Sequence, residues 1–210
     1  MMKANPLTSL GNIPITSDVV QSLFTNLAAP DEKLRALEKD GQIIRLKRGL
    51  YVVDKMVSGN DIDICLCANH IYGPSYVSLQ WALRWYGLIP EQVMMVTSVT
   101  TKRSRYFDNK LGRFDYHQVS ANYYPIGIKF LQENNVNSLI ATPEKALCDM
   151  ILRDSYLPAN SAAGLYRYLE EDLRFDTDVL HDFDTKIIEE CAKYSIKQNI
   201  FKNLLKIIKR

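Results

Sequence analysis

The spacing of apolar residues predicts two helices near the start of the chain. In the stretch 18–27 apolar side chains recur at helical spacing, and Thr16 or Ser17 can cap the helix that they define. These side chains are Val19, Val20, Leu23, Phe24 and Leu27. A second helix is predicted over 31–41, because Pro30 is favoured at a helix start and Gly41 at a helix end.

The next stretch, "IIRLKRGLYVV" (43–53), has the composition of β-strands. It is rich in β-branched residues, and Arg48-Gly49 supplies a turn, so it predicts a hairpin with a basic tip. A hairpin of this size is only marginally stable alone, so we expect it to dock on the two helices. Helix, helix and hairpin in this order predict an N-terminal winged helix-turn-helix over residues 1–57.

The remaining residues, 58–210, predict a mixed α/β domain with a helical C-terminal end. The polar stretch "SGNDID" (58–63) is the candidate linker. Strands are predicted over 92–101, 112–120 and 138–141, with a polar loop over 102–111. Helices are predicted over 62–71, 78–86 and 143–152, and in the C-terminal segments 162–175, 185–194 and 196–209. The chain as a whole is therefore predicted to be α+β, with two domains.

Composition narrows the class of protein. The chain has 210 residues, of which 47% are hydrophobic and 24% are charged, as in ordinary globular proteins. No apolar run approaches the length that crosses a bilayer, and the first residues lack the apolar core of a secretory signal. We therefore expect a cytoplasmic protein without a membrane partner. The four cysteines are too scattered for a disulfide framework and are expected to be buried thiols.

Basic residues concentrate in the predicted winged helix: positions 33 to 48 contain six basic and two acidic residues. The candidate DNA-binding residues are Lys33, Arg35, Lys39, Arg45, Lys47 and Arg48. Arg35 and Lys39 are four residues apart and share a helix face, whereas Lys33 points elsewhere. Lys47 and Arg48 flank the hairpin tip and are expected to contact the DNA backbone or the minor groove. The alternative interpretation is a solvated charged face.

A second excess of basic residues lies between positions 97 and 117, with five basic and two acidic side chains. A possible second basic surface consists of Lys102, Arg103, Arg105, Lys110 and Arg113. Tyr106 and Phe107 could stack on the bases of a single-stranded nucleic acid. Alternatively, this is a polar loop whose aromatic side chains fill the core.

Cys65, Cys67 and His70 have the chemistry and the close spacing of metal ligands. A closed zinc site needs four ligands, usually in two separated pairs, and no second pair is present in the sequence. The apolar setting "ICLCANHI" favours buried thiols. We therefore predict no metal and no cofactor.

Glu144, Lys145 and Asp149 raise the possibility of a metal-dependent nuclease. Glu144 follows Pro143 in the first turn of a predicted helix, where the helix dipole favours a carboxylate. No phosphate-cradling glycine loop accompanies these residues. We therefore predict no catalytic residues, and expect the loss of either carboxylate to cost about 1 kcal/mol of stability or less.

Four segments in order resemble the AbiEi family of antitoxins. They are "RLKRGLYVV", "ANHIYGPSYVSLQWALRWYGLIPEQV" with "TSVTTKR", "ATPEKALCDMI" and "YLEEDLRF". The resemblance implies an N-terminal winged helix followed by an antitoxin domain. It also implies a DNA-binding antitoxin and transcriptional autorepressor of a type IV toxin–antitoxin pair. The implied partners are double-stranded promoter DNA and a nucleotidyltransferase-like toxin, which is countered without a stable complex.

Two other functions remain open at this point. The chain could be a standalone transcription regulator that senses a ligand through its C-terminal domain, or a metal-dependent nuclease that the winged helix delivers to DNA. Activity with added magnesium or manganese would distinguish the nuclease. A toxin gene immediately downstream would distinguish the antitoxin from the standalone regulator.

Overall fold

Helices and strands together confirm the predicted α+β class. The structure, a computed structural model, describes residues 5–24, 29–133, 135–155, 157 and 161–209. The helices are α1 (Ser17–Ser22), α2 (Pro30–Lys39), α3 (Lys55–Ser58), α4 (Ile64–Ile71), α5 (Leu79–Trp85), α6 (Pro143–Arg153), α7 (Ala162–Arg167), α8 (Thr185–Lys193) and α9 (Gln198–Ile208). The strands are β1 (Ile15–Thr16), β2 (Ile43–Lys47), β3 (Leu50–Val53), β4 (Ser75–Val77), β5 (Met95–Thr100), β6 (Arg105–Asn109), β7 (Gly112–Gln118), β8 (Ile128–Glu133) and β9 (Val136–Ala141).

α2 has the terminal chemistry that its sequence predicts, whereas the predicted cap of α1 is not formed, because Thr16 at its N-cap makes no side-chain capping hydrogen bond with the described residues. α2 begins with Pro30, carries two acids in its first turn and ends with Lys39 in its last turn, so each charge suits the helix dipole. α1 is shorter than predicted because it ends at Ser22. Residues 25–27 of the predicted helix lie outside the described residues.

A small antiparallel sheet, with the strand order β1-β3-β2, supports these helices. The hairpin predicted over 43–53 is confirmed, with Arg48 and Gly49 at its tip. A bulge between Arg45 and Lys47 shifts the register of β2 against β3. The third strand, β1, is two residues long and was not predicted.

Within the described residues, the larger sheet has six strands in the order β6-β7-β5-β4-β9-β8. β5 pairs with β7 and β4 pairs with β9 in parallel, and the other neighbours are antiparallel. α4 packs on β4 and β9, and α5 packs between β5 and α6. The two edges of this sheet are β6 and β8.

Both edge strands depart from the sequence prediction. The polar loop predicted over 102–111 is wrong, because Arg105–Asn109 form β6 and pair with β7. The Phe107 ring lies 5.7 Å from the Tyr116 ring, edge to face, and this packing holds the strand. β8 was not predicted, because Leu131 is its only buried side chain.

The C-terminal helices α7, α8 and α9 pack together, and α8 also packs on α6. Tyr168–Asp172 forms a π-helical turn that ends the helix predicted over 162–175. In α9, Phe201 and Leu204 are fully buried, so its apolar stripe docks on the protein. None of the described helices is both long and apolar enough to span a bilayer.

The described residues form two hydrophobic cores, and the hairpin belongs to both. We call first core the cluster around α1, α2 and the small sheet, which consists of Leu7, Ile15, Val20, Leu34, Leu37, Ile43, Tyr51 and Val53. The second core underlies the larger sheet and includes Leu46, Leu50 and Val52 from the hairpin. Alternate side chains of β3 therefore point into different cores, as the two-residue period of a strand requires. We refer to residues 1–57 as the N-terminal unit and to residues 58–210 as the second unit. The hairpin packs on the second unit as well as on the two helices, rather than on the two helices alone.

Candidate nucleic-acid interface

The outer face of α2 presents two cations to solvent. Arg35 and Lys39 are exposed, and they share a face because four residues separate them. The opposite face of α2 is held by Leu34 and Leu37, which are buried in the first core. Burial of these two leucines therefore fixes the direction in which Arg35 and Lys39 point.

Lys33 lies apart from this pair. Its ammonium group is 5.0 Å from the centroid of the Phe24 ring, and its side chain is half-buried. The contact ties α2 to the end of α1. We therefore leave Lys33 out of the candidate interface.

Arg45 connects α2 to β2. Its Nη2 atom is 2.8 Å from Oε2 of Glu38, and its guanidinium carbon lies 5.7 Å from the centroid of the Tyr51 ring. Glu38 balances the charge of Arg45, so Arg45 contributes less to an anion-binding surface than its position in the sequence suggested.

The hairpin tip is fixed to the start of α1. The backbone N–H of Ser17 donates to the carbonyl oxygen of Gly49 at 3.1 Å. Gly49 has a φ of 75°, a conformation that favours glycine, and a Cβ atom there would still be 3.9 Å from Ser17 Oγ. Conformation rather than space therefore requires glycine at this position. Arg48, beside it, is exposed.

Lys47 is directed away from the tip toward the end of α4. Its ammonium group donates to the carbonyl oxygen of Ile71 at 2.5 Å and to that of His70 at 3.4 Å. A cation is favoured there because the last carbonyl groups of a helix carry partial negative charge. Burial lowers the pKa of Lys47, and nearby Lys102 and Arg105 lower it further. Lys47 thus stabilises the contact between hairpin and α4, which corrects its expected position as a free residue of the tip.

The second basic set is divided by its contacts. Lys102 donates to the carbonyl oxygen of Gly73 at 2.5 Å, and its ammonium group lies 5.3 Å from the centroid of the Tyr72 ring. The guanidinium carbon of Arg105 lies 5.0 Å from the centroid of the Phe107 ring. With Lys47, these cations gather at the end of α4, so the hairpin and the edge strand β6 share one basic region.

The other members of this set lie on or beside the β6–β7 hairpin, with Arg103 in the connection that precedes β6. Arg103 and Lys110 are exposed, and Arg113 Nε is 4.0 Å from Asp108 Oδ2. Of the two aromatic residues, Phe107 packs against the core and fits the interpretation as core filler. Tyr106 remains half-exposed, with its hydroxyl group donating to Asp108 at 3.4 Å.

Lys145 and Asp149 form an ion pair inside the second unit. Both side chains are buried, and Lys145 Nζ is 3.4 Å from Asp149 Oδ1. The other carboxylate oxygen of Asp149 accepts from Ser78 Oγ at 2.6 Å and from Tyr76 Oη at 3.1 Å. The expectation that Asp149 is exposed is wrong, because α6 places this carboxylate one turn after Lys145 and inside the core.

The ammonium group of Lys145 has two further contacts. It donates to the carbonyl oxygen of Tyr123 at 3.0 Å and lies 3.2 Å from the centroid of the Tyr123 ring. Glu144, in contrast, lies at the start of α6 and accepts from the backbone N–H of Asp184 at 3.2 Å. These contacts give the pair and Glu144 structural partners from three different segments of the chain.

The thiols of Cys65 and Cys67 are buried in α4, as the apolar setting predicts. Burial, together with the carboxylate of Asp63, raises the pKa of Cys67 to about 12. Among the described residues, no three histidine, cysteine or acidic side chains converge as metal ligands do.

A cavity of about 410 Å³ opens between α5, α6 and the π-helical turn. Gln80, Arg153 and Tyr168 line it, and Gln80 Oε1 is buried with no hydrogen-bond partner among the described residues. A ligand-responsive regulator would have a place here for a small polar molecule.

Comparisons with known proteins bear on the fold. No protein-family model matches the sequence, and no curated protein matches it either. The fold is similar to that in the crystal structure of the RV2827C protein from Mycobacterium tuberculosis, with a TM-score of 0.60 and 11% sequence identity. The match covers 94% of this chain and 71% of that one. At this identity the likeness concerns the fold alone.

Proposed function

We propose that the N-terminal unit is a winged helix that binds duplex DNA. The observation that carries the proposal is the placement of Arg35 and Lys39 on the outer face of α2, with Arg48 at the tip of the following hairpin. We call these three residues the helix–hairpin cations. α2 would lie in the major groove with Arg35 and Lys39 against the phosphates that flank it, and Arg48 would contact a further phosphate of the backbone.

The order of elements supports this geometry. α1 and α2 lie between β1 and the β2–β3 hairpin, and β1 completes a three-stranded sheet with that hairpin. In helix-turn-helix proteins the second helix lies in the major groove, and α2 is the second helix of this unit. The basic region at the end of α4 adds positive potential beside the hairpin, which favours approach to a polyanion.

We further propose that the chain is a transcriptional autorepressor and the antitoxin of a type IV toxin–antitoxin pair. This part rests on the resemblance to the AbiEi family rather than on a site in the structure. The partner would be a nucleotidyltransferase-like toxin, countered by the second unit without a stable complex. In this proposal the chain has no catalytic step of its own.

Replacing the helix–hairpin cations together by alanine should abolish repression of the chain's own promoter. Affinity for promoter DNA should fall roughly tenfold or more, because phosphate contacts supply most of the binding free energy at low salt. Binding is measured by fluorescence anisotropy with the full-length chain, and repression with a promoter fusion. Rescue of cells from the toxin should be retained, because we assign it to the second unit.

A matched control removes the same charge from exposed positions on the C-terminal helices. It carries Lys186→Ala, Lys193→Ala and Lys202→Ala. Retained DNA binding in the helix–hairpin variant, or equal loss in both variants, would refute the interface. Loss of rescue in a folded, expressed helix–hairpin variant would refute the division of roles between the units.

A further inference from the structure

The edge strand β8 has one free side. Among the residues that the structure describes, it ends the strand order of the larger sheet and pairs only with β9. Its six residues contain no proline, and its pairing with β9 is continuous, without the bulge that often blunts such edges. A regular edge of this kind offers its outward N–H and C=O groups to another strand.

β8 also exposes a large apolar side chain. Phe130 is 75% exposed, although it lies in the middle of a regular strand. Leu131, the next residue, is buried in the second core, so the strand is held firmly in place. Phe130 thus projects from a strand that Leu131 anchors in the second core, and its exposed ring surface would be buried by a strand added at this edge.

The charges along β8 are complementary to a second copy of the same strand. In an antiparallel pair centred on Leu131, Lys129 lies opposite Glu133 of the second copy, and Glu133 lies opposite the second Lys129. The same register places Phe130 opposite the second Gln132 and diagonal to the second Phe130, within reach of an aromatic side chain. A register centred on Phe130 instead would leave both charges without an opposite partner.

We propose that two copies of this chain associate through β8, which joins their six-stranded sheets across a twofold axis at Leu131. Main-chain hydrogen bonds provide the attraction, and the two Lys129–Glu133 contacts select the register. Because a twofold axis relates the copies, each copy contributes the same strand and the association stops at two. The proposal concerns the chain without DNA and is independent of the function proposed above.

Sedimentation equilibrium of the full-length chain, without DNA, tests this proposal. The wild type should sediment as two chains at micromolar concentration. Glu133→Lys and Phe130→Glu should each weaken association about tenfold, because the first places like charges opposite each other twice and the second buries two carboxylates. Both side chains are exposed in one chain, so circular dichroism and the melting temperature should hardly change.

A charge exchange provides the sharper measurement. Combining Lys129→Glu with Glu133→Lys restores opposite charges in the same register, so association should return to within about threefold of the wild type. Lys110→Glu, at the other end of the sheet, is the matched control and should leave association unchanged. A chain that remains monomeric at these concentrations would overturn the proposal. So would a dimer insensitive to β8 substitutions, or a β8 edge that captures only a different protein.

Discussion

Replacement of Asp149 by alanine will destabilise the folded chain by about 3–5 kcal/mol, the usual cost of removing one partner from a buried ion pair. Lys145 is fully buried and would lose the carboxylate beside it, which leaves its ammonium group without an ion-pair partner in the core. Ser78 and Tyr76 would also lose their shared acceptor. Urea unfolding measures the change as a lower midpoint at an unchanged slope.

Two comparisons separate the buried charge from a general effect of mutation. Glu144→Ala removes a carboxylate at the start of the same helix and should cost about 1 kcal/mol or less. Lys145→Met combined with Asp149→Leu removes both charges and should recover part of the loss, because apolar replacements of a buried pair are often tolerated. The part that stays lost is the shared acceptor of Ser78 and Tyr76, which the leucine does not replace. If Asp149→Ala costs no more than Glu144→Ala, the pair does not hold the fold as we describe.

A fragment of residues 1–57 will not fold as a stable monomer. The described part of this fragment has eight buried side chains in its own core, and units of this size rarely gain more than about 3–5 kcal/mol from one core. The cut also exposes Leu46, Leu50 and Val52, which the second core buries in the intact chain. Burial of each such side chain contributes roughly 1.5–3 kcal/mol, so the hairpin loses a large part of its support.

Amide chemical-shift dispersion and sedimentation of the fragment provide the measurement. We expect poor dispersion or self-association through the uncovered face of the hairpin. The control is a fragment in which Leu46, Leu50 and Val52 are replaced by threonine, which should self-associate less. A monomeric fragment that unfolds cooperatively would show that the second core is not needed by the N-terminal unit.

The sequence predicts an element best when its buried residues recur at a single helical or strand spacing. α2 and the hairpin were located because their apolar residues face one direction in a helix and alternate in a strand. β6 and β8 lie at sheet edges and expose side chains on both faces, so their strand period is hidden by charge. The two-residue strand β1 exists only through pairing with β3 and has no local signal.

For the candidate interface, the sequence predicts only those side-chain positions that spacing within one helix or strand determines. The four-residue separation of Arg35 and Lys39 is enough to place them on one face of a helix. The position of Lys47 depends on the carbonyl oxygens of His70 and Ile71, which a distant helix brings to the hairpin. Burial of Asp149 likewise depends on tertiary packing around α6, which residue type does not reveal.

The salt dependence of DNA binding tests the central claim most directly. Each lost phosphate contact lowers the slope of log affinity against log salt concentration by about 0.9. Removing the helix–hairpin cations should therefore reduce the slope by about 2.7, whereas Lys47→Met should leave it nearly unchanged because Lys47 is bound to α4. The C-terminal control with three lysines removed should keep the wild-type slope. An unchanged slope without Arg35, Lys39 and Arg48 would contradict DNA binding through α2 and the hairpin.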